Sequence, residues 1–255
     1  MARFDLSDTE WRIIAPLLPN KPRGVPRADD RRVLNGIFFI LRTGSPWRDL
    51  PERYGPYTTC YNRFNRWAKA GVWLKIFQAL ARRSPASLHL IDSSIIRAHQ
   101  HAAGGKKGGP DHAIGRSRGG LSTKIHAIVD ARGLPIRFLL TPGQASDKTT
   151  FPALVEGLHL ARDVIADRGF FARAIIDLIE AGGAKAHIPS QSNVRVRRVV
   201  DLALYRQRNL VERFFNKLKH FRRIATRFDK LARNFLAAIL LASIRLWMRA
   251  YESTT

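Results

Sequence analysis

The chain is short of cysteine, of acidic residues and of long apolar runs. Cys60 is the single cysteine in 255 residues, which excludes an intramolecular disulfide and a cysteine-based zinc site and suits a reducing cytosol. The longest apolar stretch, residues 235–244, is broken by Ser243 and is too short to span a bilayer. The first six residues lack the apolar core of a signal peptide, so a cytoplasmic location with no membrane partner is expected. No internal repeat is visible, and no Gly-Lys-Ser/Thr opens a helix as a phosphate-binding loop would. Asp and Glu together number 20, against 44 Lys and Arg.

That imbalance leaves a formal net charge of +24, which favours a polyanion as partner and salt-dependent binding through counterion release. Hydrophobic residues make up 45 % of the chain, so it folds, and its length allows two domains. A basic scaffold protein without chemistry would carry the same charge. The case for chemistry rests on where three of the scarce acids lie. Asp92 closes the apolar run 88–91, Asp167 closes 164–166, and Glu212 sits in the helix-like stretch 205–212. Two carboxylates at strand ends and a third on a later helix can hold divalent metal beside a phosphodiester. Such acids repel one another, so weak order of the site is expected without metal.

Residues 1–84 read as a small, helix-turn-helix-like DNA-binding domain. Ser7 and Glu10 form a capping box for a helix that stops at Pro19. A basic arm, 21–27, contains Arg23 and Arg27, and either enters a minor groove or serves as a plain linker. Asp29 or Asp30 caps a second helix, 31–43, that Gly44 ends. A third helix, 58–70, turns Tyr61 and Phe64 inward and leaves Asn62, Arg63 and Arg66 outside. Arg and Asn make bidentate contacts to guanine and adenine, so this helix is the expected reader of double-stranded DNA. A solvated amphipathic face is the bland alternative. A fourth helix covers 72–83.

From residue 85 the pattern becomes that of strands. They are expected at 87–93, 121–130, 134–140, 162–167 and 184–188, with helices at 152–159, 171–181, 202–221 and 232–251. The β-β-β-α-β-α-β-α order is that of a ribonuclease H-like α/β domain, in which Asp92, Asp167 and Glu212 meet at one sheet edge. The Gly- and Arg-rich loop 97–120 reads as a mobile basic flap that orders on DNA, or as a tether. Its His99, His101 and His112 read as loop histidines, not metal ligands. On one regular helix from Tyr205, Arg208, Glu212 and Lys219 fall within about 60° of one another. They would present one acid, two cations and a phenol to a single site, where Arg208 and Lys219 grip phosphate. An i,i+4 ion pair between Arg208 and Glu212 is the plainer reading.

The spacing Tyr205-x2-Arg208-x3-Glu212-x6-Lys219 resembles, without departure, the signature of bacterial insertion-sequence DDE transposases. Residues 208–219 and 223–230 resemble the insertion sequence five family in particular. Ile91-Asp92-Ser93-Ser94 is similar to its first acidic motif. Ala166-Asp167-Arg168-Gly169-Phe170 is similar to its second, which usually has Lys and Tyr where Arg168 and Phe170 stand. Residues 29–36 and 42–51 resemble the family's leading domain. The resemblance implies a polynucleotidyl transferase and DNA endonuclease of the bacterial cytosol and nucleoid. It would bind terminal inverted repeats, cut strands with Mg2+ (Mn2+ as substitute, two ions) and join 3′-hydroxyl ends to target DNA. It would act as a homo-oligomer on paired ends, with Asp92, Asp167 and Glu212 as metal-binding catalysts and Tyr205, Arg208 and Lys219 as DNA-gripping neighbours. A catalytically silent, co-opted DNA binder acting as a repressor is the alternative, and a stand-alone nuclease a third.

Overall fold

Ser7 opens the first helix by accepting the Glu10 amide while the Glu10 carboxylate takes the Ser7 amide, so two free donors are satisfied reciprocally. In the computed structural model, which describes residues 3–19, 27–103 and 112–253, this helix, α1 (Asp8–Ile14), tightens into a 3-10 turn at Ala15–Leu17. Helix α2 (Asp30–Thr43) is capped by the Asp29 carboxylate and ended by Gly44 in the left-handed conformation. Helices α3 (Tyr57–Lys69) and α4 (Val72–Ala81) follow. Strand β1 (Leu88–Ala98), β2 (Gly115–Ser117), β3 (Gly120–Asp130), β4 (Pro135–Pro142), α5 (Asp147–Val155), β5 (Asp163–Ala166), α6 (Arg173–Ala181) and β6 (Lys185–His187) come next. The chain then forms α7 (Leu202–Tyr205), α8 (Asn209–Lys219), α9 (Arg222–Ala225) and α10 (Ala232–Glu252).

The chain divides into two compact units. Unit 1 holds Met1–Arg82, His99–Gly109 and Leu218–Thr255, and unit 2 holds Arg83–Ala98 and Pro110–Lys217. The expected second domain, 85–255, thus loses its last helix to the N-terminal helices. The reason is a buried ion pair and an apolar face. Arg245 on α10 donates to Glu10 at 2.6 Å and to the carbonyls of Phe4 and Asp5 at 2.9 and 2.7 Å. Phe235, Ile239, Ile244 and Trp247 of α10 are fully buried.

Unit 2 is a mixed sheet in the order β2-β3-β1-β5-β6, with β4 also pairing β3. β3 runs antiparallel to central β1, and β5 runs parallel to it. Ile91, Val164, Ala166, Phe170, Ile175, Ile176 and Ile179 share one buried cluster with Phe151 and Leu154 of α5. Fully buried Val211 and nearly buried Phe214 anchor α8, with Phe214 5.9 Å from the Phe138 ring of β4.

Three expected elements are drawn differently. Helix α5 begins at Asp147, not at Pro152, which lies inside it; the Ser146 carbonyl starts the turn by accepting the Thr150 amide and both threonine hydroxyls. The expected helix 202–221 is interrupted by a 3-10 turn at Arg206–Arg208. A 3-10 helix has about three residues per turn, so Tyr205 leaves the regular α-helical stripe of Glu212. Within the expected flap, β2 pairs with the start of β3, and residues 104–111 lie outside the described residues. No described helix is long and apolar enough to cross a membrane.

Candidate active site

The register of the sheet brings the first two acids together. β1 and β5 pair in parallel from Leu88 opposite Asp163 to Ile91 opposite Ala166. Asp92 and Asp167 are the next residue on each strand. Neighbouring strands lie about 4.8 Å apart, so the two side chains leave from adjacent positions. Asp92 is expected at a strand end. It closes only the parallel pairing, because antiparallel pairing with β3 carries β1 on to Arg97 and sets Asp92 opposite the small Ala127.

Each acid has a defined holder. The Ser93 backbone amide donates to Asp92 Oδ1 at 2.8 Å. The Gly169 amide donates to Asp167 Oδ1 at 2.8 Å, which caps the 3-10 turn Arg168–Phe170. A Cβ at position 169 would stand 2.9 Å from that oxygen, so glycine permits the close approach. Glu212 lies one turn beyond Arg208 at the start of α8, and the Arg208 guanidinium bridges Glu212 and Asp92. Its Nη1 reaches Asp92 Oδ2 at 3.3 Å and its Nη2 donates to Glu212 Oε1. The expected i,i+4 pair is therefore present, and it extends to a strand acid 116 residues away.

The electrostatics tie the group together. Burial pushes the Asp92 carboxyl up to about 6; the Ser93 amide and Arg208 pull it back, while Asp167 and Glu212 add to the rise. Burial also raises the Tyr205 hydroxyl above its ordinary value, with Arg208 and Arg168 opposing and Asp167 and Asp92 reinforcing. Tyr205 therefore shares the neighbourhood despite the 3-10 turn. Arg168, which the sequence offers only as a mild motif swap, belongs to the same field. The repulsion expected of a metal-free trio is offset here by Arg208.

The donor set is chemically suited to a hard divalent cation, since it is made of carboxylate oxygens whose charges oppose one another. As the side chains stand, Arg208 takes the cation's role between Asp92 and Glu212. Among the described residues no three His, Cys, Asp or Glu side chains are grouped closely enough to hold a metal ion.

The other expected contact residues separate into distinct settings. Lys219 ends α8 within unit 1, exposed, where it lines a cationic cleft. Asn62 and Arg66 are exposed on α3. Arg63 is not. It is 4 % exposed, paired with Asp30, and lies over the Trp67 ring at 4.9 Å. The buried face of α3 is centred on Cys60, Arg63 and Phe64, at i, i+3 and i+4, which carries Arg63 inward. The same phase leaves Tyr61, expected in the core, 42 % exposed against Trp47. Arg27 is held by Asp30, with Nε 2.9 Å from both carboxylate oxygens, so it is not a free cation. Arg23 lies outside the described residues.

Two family patterns match the chain. The pattern described as "Transposase DDE domain" matches residues 83–247, and "Putative transposase of IS4/5 family" matches residues 6–77. The chain is 39 % identical over 133 residues to the "Putative transposase for insertion sequence element IS6501" of Brucella ovis, covering 51 % of this chain and 100 % of that protein. It is 41 % identical over 104 residues to "Uncharacterized protein y4sN" of Sinorhizobium fredii, covering 40 % of this chain and 83 % of that protein. Among solved structures, the piggyBac transposase in a synaptic complex with hairpin DNA superposes with a TM-score of 0.41 at 13 % identity, covering 73 % of this chain. The chain spans 47 % of that protein's length.

Proposed function

Since this chain belongs to the transposases with a DDE domain, whose pattern covers well over half of it, we propose that it is an insertion-sequence transposase. It cleaves DNA at terminal inverted repeats and transfers the freed 3′-hydroxyl ends to target DNA, acting in the cytosol as a homo-oligomer on paired ends. Family membership implies dependence on a divalent metal; we take this to be Mg2+, with Mn2+ as substitute. The antiparallel β3 and parallel β5 on either side of β1 support reading unit 2 as a ribonuclease H-like catalytic fold. The exposed Asn62 and Arg66 of α3 support a DNA-reading role for the helical residues 1–84.

The observation that carries the reading is that Asp92 and Glu212 share the Arg208 guanidinium while Asp167, on the neighbouring strand end, adds to the electrostatic field at Asp92. On this reading the three carboxylates hold the metal, Asp92 and Asp167 from the sheet and Glu212 from α8. Bound metal supplies Lewis acidity, which activates the attacking hydroxyl and stabilises the leaving oxygen of an in-line displacement. Arg208 holds Asp92 and Glu212 together while no DNA is present. A phosphodiester offers its planar fork a bidentate anionic partner, so Arg208 moves from carboxylate to phosphate and frees the acid oxygens. Tyr205 donates its hydroxyl hydrogen to a phosphate oxygen. The Ser93 and Gly169 amides keep Asp92 and Asp167 oriented throughout.

The test is strand nicking of a labelled duplex carrying the element's terminal repeat, in Mg2+. Wild type should nick it, and Asp92→Asn and Glu212→Gln should each lose at least about a hundredfold in rate, the scale of a missing charge-stabilising group. Undiminished cleavage by either variant would remove the role assigned to these acids.

A further inference from the structure

Unit 1 contains an open cleft of about 770 Å³ lined by Arg3, Arg42, Lys219, Arg222 and Arg249, with no carboxylate in its lining. Among these, only Arg249 has an acidic partner among the described residues, Glu10 at 3.5 Å, and Arg245 holds the same Glu10 oxygen at 2.6 Å. The cations crowd one another: Arg42 is held below its ordinary pKa by burial first, then by Arg249 and Arg3.

Like charges gathered without counter-charge are unfavourable unless a ligand uses them. The fold makes the gathering tolerable. Arg42 and Arg249 lie in the last turns of α2 and α10, and Lys219 ends α8. Three helix C-termini, each with a partial negative charge, therefore deliver cations to one place. The Phe221 ring lies 5.3 Å from the Arg42 guanidinium and adds a cation–π contact. Gly44 supplies the close approach. Its φ is +76°, and a Cβ there would stand 3.0 Å from Arg222 Cβ, so only glycine lets Arg222 lie against the end of α2.

We propose that this cleft is a phosphate-binding site that seats a stretch of DNA sugar–phosphate backbone on unit 1. A run of cations spread over an open cleft suits a chain of phosphates better than a single small anion. The Ser45 hydroxyl at its wall suits a phosphate oxygen; the Thr43 hydroxyl is taken up by the Phe39 carbonyl. The inference rests on the DNA-binding reading above and adds a location and a chemical class to it.

The experiment measures binding of a fluorescein-labelled duplex by anisotropy across a salt series. Lys219→Gln/Arg222→Gln removes two exposed cations of the cleft. Lys75→Gln/Arg82→Gln removes two exposed cations elsewhere on unit 1 and matches the change in net charge. For every phosphate no longer neutralised, the slope of log affinity against log salt falls in magnitude by about 0.9. The cleft variant should show nearly two such steps, bind at least about tenfold more weakly near physiological salt, and melt like wild type, while the control variant keeps the wild-type slope. Equal slopes for the two variants, with wild type binding and nicking normally, would overturn the cleft and leave the transposase reading standing. Failure of wild type to bind any duplex would remove both.

Discussion

Asp92 keeps its proton to about pH 6 in the folded protein, whereas an ordinary aspartate releases it near 3.8. Between those values the folded state binds more protons than the unfolded chain, so raising the pH across this window erodes stability. The erosion is complete above the folded pKa. Two units of pKa correspond to at most about 3 kcal/mol, and relaxation around Arg208 will reduce it. Asp92→Asn cannot undergo this erosion. Chemical denaturation without metal should therefore find the variant more stable than wild type by about 1–3 kcal/mol at pH 8, with the gap closing toward pH 4. A gap that is constant with pH, or of opposite sign, would show that burial does not raise the Asp92 carboxyl. A residue that weakens the fold where the enzyme is expected to work is a mark of function, and here it falls on the strand acid that two independent patterns, apolar run and motif, single out.

At the scale of elements, periodicity is enough to find the major helices and β1, β3, β4, β5 and β6, though not the short β2, because apolar spacing and caps are local. What it misses is set by distant partners. Nothing near Asp92 in the chain says that β3 will continue the antiparallel ladder to Arg97. The Arg206–Arg208 3-10 turn has no Pro or Gly to announce it. Arg63 reads as an outside residue because arginine is usually exposed and reads guanine well, but its partner Asp30 lies 33 residues earlier. Asp92 and Asp167 stand out in the sequence because each closes an apolar run; the bridging position of Arg208 between Asp92 and Glu212 is only half legible, as an i,i+4 pair. The α3 phase has a measurable consequence. Asp30→Ala leaves the Arg63 guanidinium buried without counter-charge and should cost about 3–5 kcal/mol in urea denaturation. Arg66→Ala, on the exposed face, should stay within about 0.5 kcal/mol of wild type. Similar costs for the two would mean that Arg63 faces solvent.

Over the whole molecule, affinity and chemistry draw on different residues. The +24 charge is spread over many lysines and arginines, while cutting is assigned to three acids. Binding to duplex should thus be steeply salt-dependent. If about six to ten phosphates are neutralised, affinity falls by roughly a thousandfold or more between about 50 and 200 mM salt. Removing an acid does not remove a phosphate contact. It lowers the negative charge facing the DNA, so it leaves affinity unchanged or raises it slightly. Glu212→Gln should consequently bind repeat-end duplex at least as tightly as wild type over the full salt series, with the same slope, even as its nicking rate collapses. Anisotropy titrations run beside the nicking assay, on one preparation of each protein, check this separation. A variant whose binding fell in step with its cleavage would mean that Glu212 supports DNA docking or the fold of α8, and that its place beside Arg208 is structural.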